Sequence, residues 1–313
     1  MATKFLTLSM AAASLLLVAA SQPVDKTASA VDCTSERSNV PAYAELAKEF
    51  SYPASAPLNL NVLSKSEADG VDVESIEFHE PRGGGVCSAA LIIPSGKAPF
   101  PAVVWMASDD KDWQIYATEF SKSGAISIVL DKCPEISWEV APAEFRDRMI
   151  RNVITIRRAV DLLLSRKDVD LKRIAYVGHS FGAMIGADAV ALDRRFKAAI
   201  FESGLEGMSY FMCSGTDLSA IHMRQSLDGR LPQFINAIAP IDSIHYVGRE
   251  TPTVLLFQSA RLDKGVPEPD AKAFFDAASE PKHLLWYDTG HEMLLPAVTR
   301  DRTNFLKNQL KMR

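Results

Sequence analysis

The chain carries no basic block. Its 34 Lys and Arg are outnumbered by 39 Asp and Glu over 313 residues, for a net charge of −5. Because the charges are scattered, nucleic acid and anionic lipid surfaces are poor candidate partners. There is no clustered metal-ligand motif of the HExxH kind, so the sequence implies no metal. No internal repeat or low-complexity tract interrupts the chain, which argues for one domain over residues 31–313 rather than an array. The N-terminal apolar run, Phe5 to Ala20, is shorter than the roughly 20 residues that span a bilayer. Cysteine is sparse, and none directly follows that run, so lipid attachment is not indicated.

The first residues do carry a pattern. Lys4 precedes the apolar run, and small residues lead on to Ala28, Ser29 and Ala30. This reads as a secretory signal peptide over residues 1–30, cut after Ala30 or earlier near Ser21, with export to a periplasmic or extracellular space. Cys33, Cys87, Cys133 and Cys213 all lie beyond it. An oxidising compartment permits disulfides, but four cysteines allow three connectivities, and buried free thiols remain equally open.

Beyond a polar lead-in ending near Pro57, "VESIEFHEPRGGGVCSAALIIP" reads as a hairpin. Short apolar strands then alternate with helices: "FPAVVWMA", "DWQIYATEFSKSG", "AISIVLD", and a helix within 142–166. On that helix Phe145, Met149, Val153, Ile156, Val160 and Leu163 recur at steps of three and four. Further on, "RIAYV", "FKAAIFE", "TPTVLLFQ" and "KHLLWYD" read as strands, "EPDAKAFFDAA" as a helix, and a last helix begins near Ala297. Such alternation predicts an α/β fold with a mostly parallel sheet covered by helices.

Between "RIAYV" and the alanine-rich run that follows stands Gly178-His-Ser-Phe-Gly182. Parallel sheets carry their chemistry at the carboxyl ends of strands. A serine held between strand and helix needs a strained backbone and small neighbours, and the two glycines supply the clearance. The pattern therefore marks Ser180 as a nucleophile, with an inert turn serine as the alternative. Its hydroxyl needs a base, and the base needs a carboxylate. His291, in the glycine-containing loop after "KHLLWYD", is placed for the first role. Asp263, in the loop after "TPTVLLFQ", is the favoured acid; Glu202, ending "FKAAIFE", is the rival.

The residues GHSFG, Asp263 and His291, in this order on this alternation, resemble the α/β-hydrolase family. The likeness runs from about Val73 to the C-terminus. "FPAVVWMA", "RLDKGVP" and "DTGHEM" are most similar to its dienelactone hydrolase and prolyl oligopeptidase-like branches. The resemblance implies Ser180 as nucleophile, His291 as general base and acid, and Asp263 as orienting carboxylate. It also implies an oxyanion hole from the backbone of Phe181 and of the loop after "FPAVVWM". There Ala107 and Ser108 stand where a His-Gly pair is usual. Residues 203–250 lie where the family often inserts a cap. Their Met208, Tyr210, Phe211, Met212, Met223 and Phe234 either line an apolar pocket or pack the cap onto the sheet.

The expected activity is cleavage of small-molecule carboxylic esters through an acyl-enzyme, without a cofactor. It should rise with pH as His291 loses its proton near the ordinary value of about 6.5. A peptidase or aminoacyl hydrolase, and a non-catalytic binding protein on the same fold, are the alternatives.

Overall fold

The computed structural model describes residues 30–37, 40–68, 70–83, 85–107 and 110–312. The signal-peptide reading lies outside these residues, apart from Ala30, and so does Ser108. Among the described residues nine strands form one sheet in the order β1-β2-β3-β5-β4-β6-β7-β8-β9. The strands are β1 Asn61–Ala68, β2 Val71–His79, β3 Val86–Pro94, β4 Phe100–Met106, β5 Ile126–Leu130, β6 Val169–His179, β7 Phe196–Glu202, β8 Val254–Ala260 and β9 Lys282–Tyr287. β1, β2 and β3 pair antiparallel and β3 joins β5 antiparallel. From β5 across to β9 every pairing is parallel.

Composition explains the arrangement. β4 and β5 are apolar almost throughout and buried along their whole length, as strands covered on both faces must be. β2 instead alternates buried and half-buried residues, the mark of a strand with one wetter face. Helices cover both faces. α1 (Tyr43–Glu49), α3 (Pro142–Leu164), α4 (Phe181–Leu192) and α8 (Glu268–Ala277) contribute to one core. α2 (Asp110–Ser121) and α9 (Pro296–Gln309) close the other, around Trp105, Trp113, Phe120 and Leu306. All six positions of the α3 stripe read from the sequence are buried.

Two elements depart from the sequence reading. α1 forms within the lead-in, anchored by the buried Leu46. β1 forms from "NVLSKSEA", whose residues from Asn61 to Glu67 are all exposed. An edge strand with no buried face has no alternation to betray it.

Residues 203–250, between β7 and β8, form α5 (Met208–Ser214), α6 (Leu218–Ser226), α7 (Leu231–Ile238) and three short 3-10 turns. The cysteines pair as Cys33–Cys213 and Cys87–Cys133. The first ties the N-terminal segment to α5, beside a Val31 N–H bond to the Cys213 carbonyl at 2.8 Å. The second ties β3 to the loop after β5.

Candidate active site

Ser180 sits between β6 and α4 with φ 53° and ψ −116°. A non-glycine residue in such a conformation costs about 1–3 kcal/mol, so the surroundings must impose it. They do so through the main chain. The Ser180 N–H donates to the Glu202 carbonyl at 2.9 Å, and its own carbonyl receives the Ala183 and Met184 amides at 3.0 and 3.2 Å. The flanking glycines are obligatory. A Cβ on Gly178 would stand 2.4 Å from the Gly182 carbonyl oxygen, and one on Gly182 only 2.0 Å from that of Met106. The same closeness brings the start of α4 against the end of β4. It sets Gly182, the residue after Phe181, against the Met106 carbonyl and the Ala107 amide, and Phe181, first in the helix, has an amide with no carbonyl four residues back within it.

The loops after β8 and β9 bring Asp263 and His291 to this turn. The Ser180 hydroxyl lies 2.8 Å from His291 Nε2, and His291 Nδ1 lies 2.7 Å from Asp263 Oδ2. Asp263 is fixed by its other oxygen, which accepts the Gly265 and Val266 amides at 2.8 and 2.9 Å. A hydrogen-bonded series thus runs from hydroxyl to imidazole to buried carboxylate. Burial pulls the His291 pKa down, but the hydrogen bond and charge of Asp263, reinforced by Glu292 and Asp217, leave it raised above 6.5. The sequence expectation of an ordinary histidine is corrected accordingly.

Glu202, the rival acid, does not meet the imidazole. Its fully buried carboxylate takes two bonds from Arg302 Nη1 on α9, at 2.8 and 3.1 Å. Side chains alternate across a strand, and that of Glu202 joins the layer where Arg302 also lies against Trp105, Trp113 and Tyr116. The Glu202 carboxylate is thus engaged by Arg302, while the His291 imidazole is bonded by Asp263.

Ser180 and His291 open into a cavity of ≈ 440 Å³. Its apolar wall includes Phe181, Met184, Leu205, Met208, Phe211 and Met223; its polar lining includes Asp217, Ser219, His222 and Glu292. Of the six apolar residues singled out in 203–250, Met208, Phe211 and Met223 face this space. Met212 and Phe234 are instead fully buried in the core. Tyr210 lies under the Arg37 guanidinium, 4.0 Å from its carbon.

With fold and geometry in view, the chain can be set beside known proteins. The sequence profile of the prolyl oligopeptidase family matches residues 152–312, just over half of the chain. The chain belongs to the prolyl oligopeptidase family. No curated protein sequence matches it. Among solved structures it is similar to the acetyl xylan esterase from Paenibacillus sp. R4, with a TM-score of 0.71 and 18% identity over 88% of this chain and 98% of that one. It is likewise similar to acetyl xylan esterase 1 from Thermoanaerobacterium sp. JW/SL YS485, with a TM-score of 0.73 and 13% identity over 90% and 99% of the two chains. The glucuronoyl esterase from Solibacter usitatus gives 0.62 and 15%, over 85% and 91%. The fold is that of the α/β-hydrolases.

Several residues at the site of this prolyl oligopeptidase family member escaped the sequence reading, among them Asp217 and Glu292 near His291. Trp138 lines the cavity from the loop between β5 and α3, where no periodicity marks it. His179, within the GHSFG turn, is buried, with its ring stacked on Trp113 at 5.3 Å. Its Nε2–H donates to the main-chain carbonyl of His291 at 2.8 Å. Ser203, also buried, donates its hydroxyl to that same carbonyl at 3.0 Å. The signal available for His179 was its place inside the GHSFG turn itself.

Proposed function

We propose that this protein is an exported serine hydrolase that cleaves small carboxylic esters, with Ser180, His291 and Asp263 as its catalytic triad. The hydroxyl–imidazole–carboxylate series at the mouth of the cavity, with contacts of 2.8 and 2.7 Å, is the observation that carries this reading. Neutral His291 takes the Ser180 proton on Nε2 as Oγ attacks the ester carbonyl carbon. Asp263 holds the imidazolium that forms. The carbonyl oxygen, now an anion, is received by the backbone N–H of Phe181 at the N-terminus of α4, with the Ala107 and Ser108 backbone as the expected second donor. Collapse expels the alcohol, which leaves with the proton from His291, and Ser180 keeps the acyl group. Water then gives a proton to His291, attacks the acyl carbon and releases the acid, returning the proton to Ser180.

Two disulfides favour an oxidising compartment and support export. Residues 31–313 are taken as one domain, with 203–250 as its cap. Structural relatives that are esterases by name favour an ester over an amide. The family match gives the second reading, a peptidase or aminoacyl hydrolase, its support.

Labelling by a fluorophosphonate is the test. Folded wild type should be labelled, and Ser180→Ala should lose both labelling and at least about 10³-fold of its kcat on p-nitrophenyl acetate. Full turnover by the alanine variant would sink the assignment. An unlabelled, inactive wild type would favour a non-catalytic binding protein. Faster cleavage of aminoacyl-nitroanilides than of p-nitrophenyl esters would move the substrate to the peptidase reading.

A further inference from the structure

The main-chain carbonyl of His291 is a meeting point that the reaction above leaves unused. One carbonyl oxygen has two lone pairs, and here both are engaged by side chains: His179 Nε2–H at 2.8 Å and Ser203 Oγ–H at 3.0 Å. Carbonyls of connecting loops ordinarily turn to water or to their own backbone.

The two donors come from the ends of neighbouring strands. His179 is the register partner of Glu202 across β6 and β7, so Ser180 and Ser203 are the next residue on each strand. Both adopt positive φ, 53° and 46°. Their amides are tied in the same sense, Ser180 N–H to the Glu202 carbonyl and Ser203 N–H to the Gln258 carbonyl, each at 2.9 Å. The ends of β6, β7 and β8 are therefore laced together, and from this frame two side chains reach across to the loop that follows β9.

That loop is held on either side of residue 291 by the Leu262 N–H bond to the Thr289 carbonyl at 3.1 Å and by Met293, buried beside Ala260, Tyr287 and Val298. Among the described residues the His291 carbonyl itself is held by these two side chains. The loop contains Gly290, Met293 at φ 54° and the exposed Leu294. Asp263 fixes the far nitrogen of the imidazole but not the main chain that bears it.

From this geometry we infer that His179 and Ser203 are positioning residues, which lock the main chain of residue 291 so that its Nε2 stays within proton-transfer reach of the Ser180 hydroxyl. The inference rests on the reading of Ser180 and His291 as the reacting pair. A displacement of about 1 Å at such a pair can cost about 10²-fold in rate, so a tie on the main chain has kinetic weight.

The chemistry of the donor fits the task. A lysine or arginine could bond the same carbonyl, but it would set a second positive charge beside the imidazolium that forms on His291 in each half-reaction. The His179 and His291 rings are only 5.1 Å apart. Burial, with the neighbouring His291 adding to it, pushes the His179 pKa down to about 4, so it donates as a neutral ring. Stacking on Trp113 then fixes the plane in which its N–H points.

The test uses the full chain and p-nitrophenyl acetate. His179→Leu removes the donor at similar size, His179→Gln returns an N–H at comparable reach, and Ser203→Ala removes the second donor alone. We expect kcat to fall about 100-fold in His179→Leu and about tenfold in Ser203→Ala, with KM within about twofold of wild type. His179→Gln should recover at least about tenfold of the loss, which a packing role alone would not predict. Fluorophosphonate labelling rates should fall in parallel with kcat. If His179→Leu fails to fold, the Ser203→Ala and His179→Gln measurements carry the test. Unchanged kcat in Ser203→Ala, or a glutamine variant no better than the leucine one, overturns the positioning role. A wild type with no Ser180-dependent turnover would instead overturn the hydrolase reading beneath it.

Discussion

The antiparallel wing, β1 to β3, and the parallel body, β4 to β9, belong to one sheet but ask different things of their residues. In the wing, β2 alternates burial along its length, and β1 is exposed and joined to β2 by ordinary pairing and the Lys65–Glu74 ion pair at 2.6 Å. In the body, the inner strands β4, β5, β7 and β8 are buried almost throughout, and β9 at the edge is half open. Ser180 and Ser203 at their carboxyl ends adopt positive φ, and Glu202, Gln258 and Asp263 are buried, with both carboxylates and the Gln258 amide nitrogen hydrogen-bonded. Backbone strain and buried polar groups thus meet along the edge that carries Ser180. The wing is held by strand pairing, by the Cys87–Cys133 bridge and by the Lys65–Glu74 ion pair.

That contrast can be broken most severely at Gly182. Gly182→Ala sets a methyl group against backbone rather than a yielding side chain, with 2.0 Å to the Met106 carbonyl oxygen. We expect a loss of at least about 3 kcal/mol of stability together with esterase activity, measured by denaturant unfolding and turnover. Wild-type stability in this variant would mean that the elbow is far looser than its contacts imply.

A subtler change acts on charge. The groups facing His291 are Asp263, His179, Glu292 and Asp217, and the three carboxylates hold its proton on. On the proposed mechanism the neutral imidazole is the base, and since its pKa is raised, activity should be low in acid and rise through a value above 6.5. Removing negative charge with Glu292→Gln and Asp217→Asn should move that acidic limb to lower pH. The asparagine can still cap α6 as Asp217 does through the Ala220 amide, so folding is spared. A limb that stays in place would show that these two carboxylates do not act on the base.

The smallest effect belongs to the wing. Lys65 is 68% exposed, so Lys65→Ala should change stability by no more than about 0.5 kcal/mol and leave kcat untouched. A larger loss would show that the wing shares the demands of the body.

The same contrast governs what could be read from the sequence. The body's strands are short apolar runs separated by amphipathic helices, so their order was legible, and the GHSFG turn announced itself through the two glycines that backbone contact requires. β1 was not legible because an exposed edge imposes no pattern. Asp263 and Glu202 both stand at or just beyond a strand's carboxyl end, and position alone favoured the former; what separates them is Arg302, some hundred residues away on α9. The division of the 203–250 residues between cavity wall and core depends on which side of each short helix meets the sheet. The His291 carbonyl, a main-chain atom with two side-chain donors, leaves no trace in any residue pattern.

The disulfides have a consequence for assembly. Their pattern is nested, with Cys87–Cys133 enclosed by Cys33–Cys213. As the polypeptide emerges from its N-terminus, Cys33 and Cys87 are available together before either has its native mate. Adjacent pairing would therefore give a wrong bridge. Correct oxidation demands either that Cys33 wait as a thiol until α5 has been made, or that a premature bond be reshuffled by thiol exchange.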